Sequence, residues 1–124
     1  MNAKINYDSN EPAVSVEFTI TKLLPDYDLF EVEAETPRDV DPILASQGFK
    51  DLLDDVRAML ERELNGSGLE IVQLTGAICG DGGVHRPGIW LVLREAGGQR
   101  EMSAGARSSV VKAAESVQSS LGLS

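Results

Sequence analysis

The fold turns on the stretch Leu69 to Gly98, LEIVQLTGAICGDGGVHRPGIWLVLREAGG. Two apolar runs flank a glycine-rich middle. Val72, Leu74 and Ile78 alternate with polar or small neighbours, while Leu69 and Ile71 fall on the opposite parity. From Ile89 to Arg94 both parities are apolar: Ile89, Leu91 and Leu93 against Trp90 and Val92. Runs of this length, rich in β-branched residues, read as strands over 69–79 and 89–94. A strand apolar on both sides is covered on both sides. If helices cover one face of the sheet, something else must cover the other. A homodimer contact meets that need, with Trp90 as its natural anchor. The first twelve residues folding across the face are the alternative.

Upstream, Val14, Val16, Phe18 and Ile20 alternate with Ser15, Glu17, Thr19 and Thr21. This period of two predicts a strand over 14–23 with one dry face and one wet face. Pro25-Asp26 supplies a turn. Phe30, Val32 and Ala34 then alternate with Glu31, Glu33 and Glu35, which predicts a second strand over 28–35 and an antiparallel hairpin with the first. Such a hairpin sets Glu17, Glu31, Glu33 and Glu35 on one outer face. The plainer reading is a solvated face that resists sheet-to-sheet association. The functional readings are a docking surface for a basic protein partner and an oxygen-ligand site for a divalent cation, although no loop here has the spacing of a dedicated cation site.

Phe49, Leu52, Leu53, Val56, Leu60 and Leu64 fall at i, i+3, i+4, i+7, i+11 and i+15, one continuous apolar stripe. They predict a helix over 49–64, closed by Asn65-Gly66 as a left-handed cap. Thr36-Pro37 and Asp41-Pro42 are start signals for a short turn or helix near 37–46. Gly97-Gly98 breaks the chain again. A last helix, 103–121, carries Val110, Val111, Ala114, Val117 and Leu121 inward, with Ser103 as its N-cap. Its many small residues allow close packing, but its Ser and Gly residues are weak helix formers, so it depends on tertiary contacts. Arg107, Lys112 and Glu115 rule it out as a membrane helix.

These elements give the order ββαββα. The expectation is a single α+β domain over 13–122, an antiparallel sheet of about four strands with two main helices on one face, preceded by a loose arm over 1–12. A chain of 124 residues is one ordinary domain, and 42% apolar with 25% charged residues is a globular composition. A single cysteine fits a reducing compartment. No apolar run follows the first lysine and none approaches about 18 residues, so neither a secretory signal nor a membrane span is expected, and the expected location is the cytoplasm. Residues 1–66 hold fifteen acidic against six basic side chains, a net of −9, whereas residues 67–124 hold five of each. Nucleic acid and anionic lipid both require a basic footprint, so neither is expected as a partner.

The glycine-rich middle, 76–88, holds the only Cys and the only His. Three chemical readings stand beside a plain one. Cys79 and His85 form a thiolate–imidazolium pair oriented by Asp81, provided the loop brings them together. Cys79, Asp81 and His85 are also three types of zinc ligand, but their spacing matches no zinc signature and no second Cys or His supplies a fourth, so no metal or cofactor is expected. Gly80, Gly82 and Gly83 with Arg86 make a backbone cradle for an anion, without the Lys-Ser/Thr ending and following helix of a P-loop. The plain reading is turn chemistry at Asp81-Gly82 and Pro87-Gly88 in a loop longer than a tight hairpin needs. On balance the sequence reads as a small acidic interaction protein rather than an enzyme: an adaptor, accessory subunit or inhibitor. The alternative is an enzyme or ligand-binding protein built on Cys79, Asp81, His85 and Arg86.

Overall fold

The computed structural model describes residues 3–97 and 100–122. Its elements are β1 (Ala3–Tyr7), β2 (Ala13–Thr19), two 3-10 turns (Pro25–Tyr27 and Pro37–Val40), α1 (Asp41–Leu44), α2 (Gln47–Glu63), β3 (Leu69–Asp81), β4 (Val84–Glu95) and α3 (Ala104–Leu121). The four strands form one sheet in the order β1-β2-β4-β3, every pairing antiparallel. The ββαββα order and the α+β class are as expected, but the first two strands are not the expected ones.

β2 ends at Thr19, and the expected strand 28–35 does not form. β2 has β4 on one side and β1 on the other, so both its edges are taken. The segment expected to pair with it is turned away by the 3-10 turn at Pro25 and by Asp28, which sits in the left-handed region at φ 56°. It returns to the sheet only where β2 has ended: Ala34 and His85 exchange both backbone hydrogen bonds, at 2.8 and 2.7 Å. The hairpin partner of β2 comes instead from the expected loose arm. Ala3, Ile5 and Tyr7 alternate with Lys4 and Asn6, the period-two signal of a half-buried strand. Asp8 accepts from the Asn10 amide and tightens the turn to β2. Tyr7 lies under the Arg107 guanidinium, 4.4 Å from ring centroid to Cζ, which ties β1 to α3.

The mixed parity of β3 has a simple cause. The register slips between Ile71 and Gln73, a β-bulge at Val72. The extra residue brings Leu69, Ile71, Leu74 and Ile78 to one face and leaves Val72 58% exposed. That face meets the helices. Val14, Val16 and Phe18 of β2 stand opposite Leu93, Leu91 and Ile89 of β4. Above them lie Phe49, Leu52, Val56 and Leu60 of α2, and Ala106, Val110, Ala113, Ala114 and Val117 of α3, all fully buried. The small side chains of Ala106, Ala113 and Ala114 let α3 approach the sheet and α2 closely, and alanine costs the helix nothing in propensity. Ser103 caps α3 as expected, whereas α2 starts at a Ser46 cap and ends on Leu64 in the right-handed region, two residues before Gly66 turns left-handed at φ 79°. Ser46 and Ser103 accept from the amides of Phe49 and Ala106, each at 3.2 Å, and Gly122 closes α3 at φ 67°.

No helix among the described residues is long and apolar enough to cross a membrane.

Gly88 sets how closely β2, β3 and β4 fit. A methyl group there would collide with the Cys79 sulfur and lie 2.7 Å from the Phe18 carbonyl oxygen. Gly80, on the partner strand, has open space around the same position. Urea unfolding should show Gly88→Ala less stable than the parent by about 1–3 kcal/mol, the usual cost of overpacking. Gly80→Ala should stay within about 0.5 kcal/mol. Equal effects would mean that the close approach at Gly88 does not constrain the sheet.

Candidate functional site

The glycine-rich middle is not a loop. Apart from the bulge at Val72, β3 and β4 pair from Leu69 opposite Glu95 to Asp81 opposite Val84, so the connection is only Gly82-Gly83. Both glycines have positive φ, 58° and 92°, which is the requirement of a tight type I′ hairpin turn. Pro87-Gly88, read from sequence as a second turn, lies inside β4. Ile20 donates to the Pro87 carbonyl at 3.0 Å as the chain leaves β2.

This register separates the proposed catalytic pair. Residues opposite one another across an antiparallel ladder share a face, and neighbours along a strand alternate. Cys79 stands opposite Arg86, whereas His85 stands opposite Gly80. Cys79 and His85 therefore point to opposite sides of the sheet. His85 is half-buried on the side of Pro87 and Ile89, and Cys79 is on the side away from the helices. The Asp81 side chain lies outside the described part of the structure, as do Gly98 and the first two residues of the expected arm.

Cys79 is 3% exposed because it fills the space that Gly88 leaves beside Thr19 and Glu17. Burial pushes its thiol above the ordinary value of 9.0. The Thr19 hydroxyl opposes that shift, and the Glu17 carboxylate adds to it. A buried thiol held protonated is a packing residue rather than a nucleophile. The anion cradle fares no better. Arg86 reaches away from the turn, with Nη1 on the Val32 carbonyl at 3.3 Å and Nη2 on Glu33 at 2.7 Å. Among the described residues, no three His, Cys, Asp or Glu side chains converge as a metal ion requires.

The four glutamates expected on one hairpin face are divided. Glu17 is in the sheet, between Lys4 of β1 and Trp90 of β4. Glu31, Glu33 and Glu35 are exposed on the irregular segment that runs past the start of β4. Their alternation with Phe30, Val32 and Ala34 mimics a strand, but the segment meets the sheet only at Ala34, which bridges His85 of β4.

The sheet face opposite the helices carries a set of aligned rows. Lys4, Glu17, Trp90 and Thr75 form one row across all four strands, and Asn6, Ser15, Val92 and Gln73 form the next. Ala13, Arg94 and Glu70 follow. Trp90 and Val92 are half-buried at the centre, and no described helix covers them. Lys4 beside Glu17 and Arg94 beside Glu70 balance in charge, on a chain whose net charge is −9. The sequence signal for this face was the double-sided apolar run 89–94.

A scan against protein-family models, a search of curated proteins and a search of solved structures found no match to this chain.

Cys79 should react with an aromatic disulfide reagent only as the sheet opens, slowly in buffer and rapidly in urea. Because its pKa is raised, the folded-state rate should reach half its limiting value above pH 9.0, the midpoint of an ordinary thiol. Rapid labelling at neutral pH would mark the thiol as open and activated, and would return it to consideration as a nucleophile.

Proposed function

We propose that this chain is a non-catalytic interaction protein, an adaptor, accessory subunit or inhibitor, that acts as a homodimer. The two copies pack through the sheet face that the helices leave uncovered. The observation that carries this reading is the Trp90–Val92 strip in the middle of that face, half-buried apolar side chains on a central strand with no layer over them among the described residues. Tryptophan buried at the centre of an interface and rimmed by polar side chains is the usual form of a binding hot spot.

Charge favours a second copy as the occupant. The chain carries −9 overall, so most of its surface repels another copy, while the rows around Trp90 hold Lys4, Glu17, Arg94 and Glu70 in balance. Self-association therefore meets least Coulomb opposition here. A two-fold dimer uses the same patch twice, which a neutral patch with alternating signs accommodates. The enzymatic alternative has no comparable support, since β3 and β4 turn Cys79 and His85 apart.

Native mass spectrometry and sedimentation of the untagged protein test the proposal. The parent should give a dimer mass. Trp90→Glu should give a monomer, its self-association weakened roughly thirtyfold or more as expected for a hot-spot residue. Cys79→Ser and His85→Ala should both remain dimeric. A monomeric parent at micromolar concentration, or an unchanged dimer in Trp90→Glu, would overturn the reading.

A further inference from the structure

A second surface lies away from the Trp90 rows, on the segment between β2 and α1. Leu24 and Leu29 are buried and exchange backbone hydrogen bonds at 2.9 and 3.0 Å, closing a tight turn through Asp28. The turn is clamped to α2. The Tyr27 hydroxyl donates to Asp55 at 2.6 Å, and the Tyr27 carbonyl packs so closely on Gly48 that a methyl group there would overlap it. Past the turn, Val32 is buried, Ala34 is bonded to His85, and Arg86 holds the Val32 carbonyl. The backbone is thus fixed on both sides of Phe30.

On this fixed frame Phe30 is 60% exposed and Leu23 is 54% exposed. Burying such side chains is worth about 1.5–3 kcal/mol each, and scattered exposure of single apolar residues is ordinary. Here the two line one cleft of about 360 Å³, with Val32 at its floor and Glu31 and Glu33 at its rim. The Phe30 ring is also a wall of a neighbouring cleft of about 330 Å³ that includes Asp28 and Ile43. Both volumes fall at the small end of the range for ligand pockets. Residues 20–35 carry Asp26, Asp28, Glu31, Glu33 and Glu35 against Lys22 alone, and Glu33 is shared with Arg86.

We infer that the Leu23–Phe30 cleft docks a peptide segment of a partner protein in which an aliphatic or aromatic side chain stands beside Lys or Arg. The apolar side chain enters between Leu23 and Phe30, and the cationic neighbours lie over Glu31 and Asp28. Charge selects this occupant. A second copy would bring the same acidic segment against itself, and a nucleic acid would meet five carboxylates. The fixed backbone removes much of the ordering cost that weakens peptide binding to flexible loops. The inference rests on reading the chain as a docking protein, but it uses residues outside the dimer face. A dimer with a separate peptide cleft on each copy is the geometry of an adaptor.

The test is fluorescence anisotropy with a labelled synthetic peptide of repeating Lys-Leu-Lys-Phe, compared with the same peptide carrying Ser in place of Leu and Phe. The parent should bind the apolar peptide at least about tenfold more tightly than the Ser peptide. Phe30→Ser and Glu31→Lys, both at exposed positions, should each weaken binding by a similar factor, and Trp90→Glu should leave it unchanged. Equal binding of the two peptides, or no effect of Phe30→Ser, would reduce the contact to net charge and overturn the inference. Conversion of a dimer to a monomer by Phe30→Ser would make this cleft a self-association surface and overturn it as well. Loss of the dimer in Trp90→Glu with peptide binding intact supports it, and a monomeric parent that still discriminates the peptides leaves it standing while the dimer reading fails.

Discussion

The antiparallel pairing of β2 with β4 is the constraint on which the rest of this structure depends. It joins residues 13–19 to residues 88–94 and brings Val14, Val16 and Phe18 level with Leu93, Leu91 and Ile89. That apolar plate is where α2 and α3 bury their stripes. The pairing spans most of the chain, so the loop-closure entropy is met only when the apolar contacts form together. The pairing also occupies one edge of β2 and leaves the other for β1. Every later arrangement, including the exclusion of 28–35 from the sheet, follows from who holds those two edges.

The same ladder decides the chemistry of the hairpin. With β3 and β4 in unbroken register from Gln73 to Asp81, a run rich in glycine becomes two long strands and a two-residue turn. Alternation then sends Cys79 and His85 to opposite faces, and Gly88 gives the Cys79 sulfur a dry slot. Unusual residues gathered in sequence are dispersed in space because the strand period is two. What the glycines supply is close approach and turn geometry, not a cradle.

Charge and apolar surface are divided between two regions of the molecule. The uncovered sheet face is balanced in sign around Trp90 and Val92, while the segment between β2 and α1 is acidic around Leu23 and Phe30. An uncovered apolar strip in neutral surroundings suits a like copy, and one in acidic surroundings suits a basic partner. The division gives the proposed adaptor role its physical basis, since the two kinds of contact do not compete for one surface.

The sequence by itself determined the elements whose signal is local. The stripe from Phe49 to Leu64 repeats at helical spacing within one segment, and Ser103 caps a helix made of its own neighbours, so both were legible. The apolar run at 89–94 likewise announced a strand with apolar side chains on both faces, and its central place in the sheet came only with the pairing. Only the tertiary structure decided which strands meet. Lys4-Ile5-Asn6-Tyr7 and Glu31-Val32-Glu33-Ala34 carry the same period-two pattern, and nothing within either segment says which will find a free edge of β2. The bulge at Val72 was equally hidden, because one inserted residue exchanges the faces of everything beyond it and is visible only against the partner strand. Faces, edges and the separation of Cys79 from His85 are properties of pairing between distant segments, and the periodicity of a single segment does not contain them.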